Sequence, residues 1–205
     1  MRTFLLFLII LFLSFTAKAG DDDPKRWKKG FVITFNGDTI WGRVKINDYL
    51  DVNYDCQRKL EFKDQHNRLV YYFPEAIRTF CYFDGQDTAS EAGRYESVSD
   101  PSREGRVFLR AYCSGTCHVY GQTITELKGD RDRGDVMHAP LIPTEKKYIQ
   151  IRGGNFIPFK RAGFKETMKE IFADCPTIIS RLDSKAYTYV NWQAMVFDYN
   201  SGICK

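Results

Sequence analysis

At Phe164 the spacing of apolar residues changes period, and that change divides the chain. Beyond it, Phe164, Met168, Ile171, Phe172 and Cys175 recur at helical intervals. Side chains three and four apart share a helix face, so these five form one stripe. Pro176 stops this helix and is placed to open the next, where Ile178, Ile179 and Leu182 make a shorter stripe. Trp192, Met195, Val196 and Tyr199 define a third, with Asn191 in position to cap its start and Gly202 to end it. Each stripe lies on a single face, which is the pattern of a core rather than of a cofactor pocket.

Before Phe164 the period is two, as in strands whose successive side chains point to opposite faces. Phe31, Ile33 and Phe35 alternate, Asn36-Gly37 follows, and Ile40, Val44 and Ile46 share a face of a second strand. Asn-Gly between alternating runs predicts a tight hairpin with both turn residues at positive φ. Trp41 falls on the face opposite Ile40. Leu60 and Phe62, then Leu69, Tyr71 and Phe73, alternate around a polar turn at Asp64–Arg68. Pro74–Ile77 predicts one helical turn, and Phe80–Phe83 a strand. Residues 86–105 are polar and rich in Gly and Ser, which predicts loop with a short strand near Tyr95. Val107, Leu109, Ala111 and Cys113 share a face, and Cys117, Val119 and Gly121 continue it past Ser114–Thr116, a second hairpin. Residues 128–145 lack periodicity and predict a mobile surface loop. Tyr148, Ile149 and Ile151 form another strand, and Phe156–Phe159 a last one. Strands first and helices last predict an α+β fold: an antiparallel β-sheet or partly open β-barrel followed by a C-terminal bundle of three short helices. The boundaries fall at 1–19, 20–160 and 161–205.

Residues 1–19 read as a cleavable signal peptide. Arg2 supplies the positive region, Phe4–Phe15 is almost unbroken apolar chain, and Ala17-Lys18-Ala19 offers the small-x-small cleavage pattern before Gly20. The apolar run is shorter than the ~20 residues a spanning helix needs, so the expected product is secreted or periplasmic and does not span the membrane after cleavage. Once Arg2 and Lys18 leave with the signal, 28 basic groups face 26 acidic ones. A balance of +2 argues against nucleic acid as a partner.

All six cysteines follow residue 19: Cys56, Cys81, Cys113, Cys117, Cys175 and Cys204. An even number in an exported chain points to disulfides. Cys113 and Cys117 flank a hairpin loop; Cys175 ends the first helix and Cys204 follows the third; Cys56 and Cys81 remain as the third pair. In the chain-entropy model the first pair is worth about 2 kcal/mol and the second about 3.6 kcal/mol. The competing reading is a metal site of Cys113, Cys117 and His118 with His66 or His138. Its three-residue Cys spacing is not a zinc knuckle, and His118 points to the other strand face. Cys-x-x-Cys, Gly-x-Ser-x-Gly, His-Glu-x-x-His and Gly-rich phosphate loops are all missing from the sequence. No catalytic residue and no cofactor is therefore assigned. Arg133-Gly134-Asp135 matches an adhesion tripeptide, which a charged Gly-rich run produces by chance.

The segments GFVITFNGDTIWGRVKI (30–46), YYFPEAIRTFCYFDG (71–85), FLRAYCSG (108–115) and FKETMKEIFADCP (164–176), in this order, resemble a group of secreted proteins from Bacteroidota bacteria. Members begin with a signal peptide and a strand ending in an NGDTI-x-G turn. They close with a helix ending DCP and a segment like VFDYN (196–200). The resemblance spans most of the chain after residue 19 and implies envelope or extracellular residence. Its motifs are structural, so no catalytic residue carries over. The expectation is a non-enzymatic protein binding another protein or a cell-envelope polymer through its strand-rich face. Trp41, Tyr72, Tyr112 and Tyr120 are the candidate surface, within an aromatic set that also holds Tyr71 and Tyr82. The alternative is an envelope-acting hydrolase whose carboxylates the sequence does not single out.

Overall fold

The computed structural model describes residues 26–46, 57–83, 91–127 and 141–204. The expected signal peptide, Cys56, His138, the Arg133-Gly134-Asp135 tripeptide and the stretch 128–140 lie outside the described residues. Ten strands form one antiparallel, unclosed sheet. In spatial order they are β10 (Ile157–Phe159), β9 (Leu141–Ile151), β8 (Cys117–Leu127), β7 (Arg106–Cys113), β6 (Glu91–Ser99), β5 (Ile77–Phe83), β1 (Trp27–Thr34), β2 (Thr39–Lys45), β3 (Leu60–Asp64) and β4 (Leu69–Tyr72). Three helices follow, α1 (Phe164–Ile171), α2 (Pro176–Asp183) and α3 (Trp192–Asn200). The fold is α+β.

The sheet curls at its β1–β5 end. Only residues 73–76 join β4 to β5, although β3, β2 and β1 lie between them in the sheet. So short a link brings the edge strand back toward β5. The inside of the curl holds Val32, Val44, Leu60, Phe62, Phe80, Tyr95 and Phe108, all buried. Phe80 stacks on Tyr95 with centroids 4.7 Å apart and meets Phe108 edge-on at 5.1 Å. Two glycines admit these rings. A Cβ on Gly42 would strike the Phe62 ring and the Lys63 carbonyl, and one on Gly93 would strike the Tyr82 ring.

The same face of the other half carries the helices. Phe164 and Met168 of α1, then Phe172, Cys175, Ile178 and Leu182, pack with Trp192, Met195, Val196 and Tyr199 of α3 against Cys117, Val119 and Ile149. The opposite face of β7–β8 buries Val107, Leu109 and Tyr120, with Phe156 folded against them. Cys175 and Cys204 form a disulfide with Cα atoms 5.1 Å apart; α1 stops at Ile171 rather than at Cys175, which is the N-cap of α2, so the bond ties the start of α2 to the chain after α3. Among the described residues no helix is long and apolar enough to cross a membrane.

Several local expectations are corrected. Gly37 alone of the Asn-Gly pair has positive φ, at 94°. The Gly37 amide donates to Thr34 O, and the Thr34 amide donates to Asp38 O. The loop is therefore a three-residue turn with a glycine bulge rather than the two-residue turn expected. Pro74–Ala76 is a non-helical turn, and Ile77 already belongs to β5. Residues 91–99 are a full central strand, β6, and residues 141–145 are part of β9. Asn191 stands at the α3 N-cap without capping it; its side chain instead accepts from the Thr188 amide and donates to Ala186 O.

The hairpin between β7 and β8 also differs in register. Cys113 lies opposite Val119, after a bulge that follows Ala111, so it does not face Cys117 across the loop. Both are free thiols, and the expected Cys113–Cys117 disulfide is not formed. The bulge breaks strict alternation, and both Tyr112 and Cys113 pack against the helical cluster. Burial pushes the Cys117 thiol up to about 12, with Cys113 adding to it. Burial also raises the Cys113 thiol. The hairpin is anchored by Asn200 of α3: the Cys117 amide donates to its Oδ1 at 2.7 Å, and its Nδ2 donates to Cys117 O at 2.9 Å.

Candidate binding face

The alternation that buries Val32, Val44 and Phe62 inside the curl sends their neighbours outward. On β1 those are Trp27, Lys29, Phe31 and Ile33; on β2, Trp41, Arg43 and Lys45; on β3, Glu61 and Lys63; on β4, Leu69 and Tyr71. The outer face is aromatic. Phe31 and Trp41, directly paired, have ring centroids 5.0 Å apart, and Trp41 stacks on Phe83 at 6.3 Å. Trp41 remains 48% exposed, Tyr71 49% and Leu69 47%.

The same face is cationic. Lys29 pairs with Arg43, and Arg43 pairs with Lys63, so three positive side chains form one row across three strands, with Leu69 next in line. Like charges directly opposite one another destabilise a sheet. The Lys63 ammonium sits 4.5 Å from the Trp27 ring centroid, an arrangement in which the ring's quadrupole offsets part of the charge. Lys45 is neutralised locally by Glu61 at 2.9 Å. Lys29 and Arg43 are exposed and have no ion pair among the described residues.

At the β4–β5 link this face runs into an open groove of about 560 Å³ lined by Arg58, Lys59, Phe73, Pro74, Glu75 and Arg106. Lys59 lies 4.8 Å from the Tyr71 centroid, and Arg106 lies 5.3 Å from that of exposed Phe35. Arg106 is held by neutral partners, donating from Nε to Ser97 Oγ at 2.8 Å and from a terminal nitrogen to Ser97 O. Arg58 is directed to Asp100 at 2.9 Å, and that carboxylate also receives Arg103 at 3.2 Å.

Of the aromatic residues expected on the surface, the structure places Trp41 and Tyr71 on this face. Tyr72 points into the curl, edge-on to Phe62. Tyr112 contacts Trp192 beneath the helices, and its hydroxyl donates to Glu145. Tyr120 is buried on the opposite face of β8, and its hydroxyl donates to Glu96 at 2.9 Å. Tyr82 is buried beside Tyr95. Sequence reasoning missed Phe35, Leu69, Phe73 and the cation row as surface features. The row was recoverable in principle, because it follows from strand register once the hairpins are aligned.

Cys81 is buried on β5. Cys113 and Cys117 do not gather further ligands, and among the described residues no three His, Cys, Asp or Glu side chains come together as a metal site. Two carboxylates are held below their ordinary range. Asp64 is held down by the Arg68 and His66 amides and the Arg68 side chain, closing the β3–β4 turn. Asp183 is held down by Lys165 and Lys169 at 2.8 and 2.6 Å, joining α1 to α2. Neither lines the groove, and each does structural work. A second open groove, about 470 Å³, lies between the β9–β10 turn and the end of α1, with Glu170 and Asp174 at its rim. No family model, curated protein or solved structure matches this chain.

Proposed function

We propose that the protein is exported to the periplasm or cell exterior and acts there without catalysis, binding an envelope polymer through the outer face of β1–β4. The signal-like residues 1–19, the Cys175–Cys204 disulfide and the resemblance to secreted Bacteroidota proteins support the address. One observation carries the binding role. Among the described residues, Phe35, Trp41, Leu69, Tyr71 and Phe73 are large apolar side chains left exposed on one half of the molecule. Exposed apolar groups gathered in this way mark an interaction surface, and aromatic rings are the side chains such surfaces favour.

Co-sedimentation of the purified exported protein with insoluble bacterial envelope tests this. Trp41→Ala and Tyr71→Ala should each lower the bound fraction at least fivefold. Phe197→Ala removes a ring that is 69% exposed on α3 and should change nothing. Equal binding by all three variants would refute the role of this face.

A further inference from the structure

We infer that the groove at the β4–β5 link is a separate binding site for a small organic oxyanion, a carboxylate or phosphate joined to an apolar body, with Arg106 as its anchor. The inference goes beyond the outer-face reading and does not rest on it. Arg106 stands two residues before Phe108 on β7, so alternation turns it to the inner face, at the open end of the curl. Mouths of curled sheets are frequent ligand sites, and a volume of about 560 Å³ lies within their usual range.

The way Arg106 is held singles it out. The Ser97 hydroxyl donates to Pro74 O, which leaves its oxygen to accept from Arg106 Nε at 2.8 Å. Ser97 O accepts from one terminal nitrogen of the same guanidinium. Both bonds fall along one side edge of the group. Its end edge, where the two terminal nitrogens present parallel N–H groups, has no partner among the described residues. Such a fork matches two oxygens of a carboxylate or phosphate. The Phe35 ring, 5.3 Å from the guanidinium, packs on its face.

Charge balance points the same way. Arg106 is half-buried and hydrogen-bonded only to neutral groups, and a charge drawn partly out of water without a counter-charge is costly. Lys59 lines the same groove with its ammonium 4.8 Å from the Tyr71 centroid and no carboxylate partner among the described residues. Arg58, the third cation, is already matched by Asp100 at 2.9 Å. Glu75, the carboxylate of this lining, is exposed and pairs with neither Lys59 nor Arg106. An entering anion supplies what the groove lacks, and the exposed rings of Phe35 and Phe73 offer its apolar body a surface.

An NMR titration of the full exported protein with phenyl phosphate, benzoate, benzyl alcohol and inorganic phosphate at constant ionic strength tests the assignment. The signals to follow are the Arg106 side-chain Nε–H and the backbone amides of Glu75 and Ala76. Phenyl phosphate or benzoate should shift them saturably, with a Kd at or below about 1 mM, and the tighter of the two names the oxyanion. Benzyl alcohol, which lacks the charge, and inorganic phosphate, which lacks the ring, should each bind at least fivefold more weakly. Arg106→Lys keeps the charge but loses the fork, and should weaken binding at least tenfold as read at Glu75 and Ala76. Where that variant melts lower than the parent, Lys59→Gln decides, with a loss of at least threefold expected. The inference is overturned by no saturable shift with either acid, by equal binding of benzyl alcohol, or by parent-like binding in the deciding variant.

Discussion

Replacing Cys204 with serine removes the cross-link that closes the helical tail, and the structure sets the size of the loss. The disulfide spans a sequence separation of 29, which in the chain-entropy model corresponds to about 3.6 kcal/mol at 25 °C. Packing adds little, because Cys204 is only half-buried at the edge of the cluster and serine is nearly the same size. With a urea slope of about 2 kcal/mol per molar, the midpoint should fall by about 1.8 M. Trp192, buried among the helices, makes tryptophan emission a suitable probe of the transition. The parent protein measured in dithiothreitol should show the same lowered midpoint. A fall below about 0.5 M, equivalent to roughly 1 kcal/mol, would refute the reasoning. It would mean that the unfolded tail is already as restricted as the cross-linked one.

Three further outcomes are expected. Asn200→Ala strips both partners from the Cys117 peptide group, which belongs to a fully buried residue, and should cost about 2–4 kcal/mol; hydrogen exchange at the Cys117 amide should accelerate, whereas an unchanged rate would exclude the anchoring role. The Cys117 thiol ionises near 9.0 when unfolded but near 12 in the fold. The stability this contributes is therefore whole below pH 9 and lost as pH rises to 12, up to about 4 kcal/mol; urea midpoints at pH 8, 10 and 11 should fall more steeply for the parent than for Cys117→Ala, and parallel curves would contradict it. N-terminal sequencing of exported protein should begin at Gly20, and a mature chain starting at Met1 would sink the export reading.

What could be read from the sequence was whatever periodicity encodes. The stripes of all three helices reached the core as expected, with Met168, Phe172, Cys175, Ile178, Leu182, Met195 and Val196 essentially inaccessible. Strand β6 was legible only as a short piece near Tyr95, because its inner face carries Gly93, Tyr95 and Ser97 rather than a hydrophobic run. Its polar groups are satisfied by tertiary partners no local pattern reveals: Ser97 donates to Pro74 O, and Glu96 accepts from Tyr120. The candidate surface was harder still. Tyr72 and Trp41 are both aromatic residues on strands, yet one turns into the curl and the other outward. Which face is inside depends on the four-residue β4–β5 link that bends the sheet, a long-range constraint. The misplacement of Tyr112 has a different origin, the bulge after Ala111 that interrupts alternation.

The claim that the outer face of β1–β4 is the working surface is tested most directly by hydroxyl-radical footprinting of the protein free and bound to envelope polymer. The account predicts that binding lowers oxidation of Trp41, Tyr71 and Phe73 several-fold while Phe197 on α3 is oxidised at the same rate in both states. Protection of Phe197 with Trp41 and Tyr71 unchanged would place the contact on the helices and contradict it.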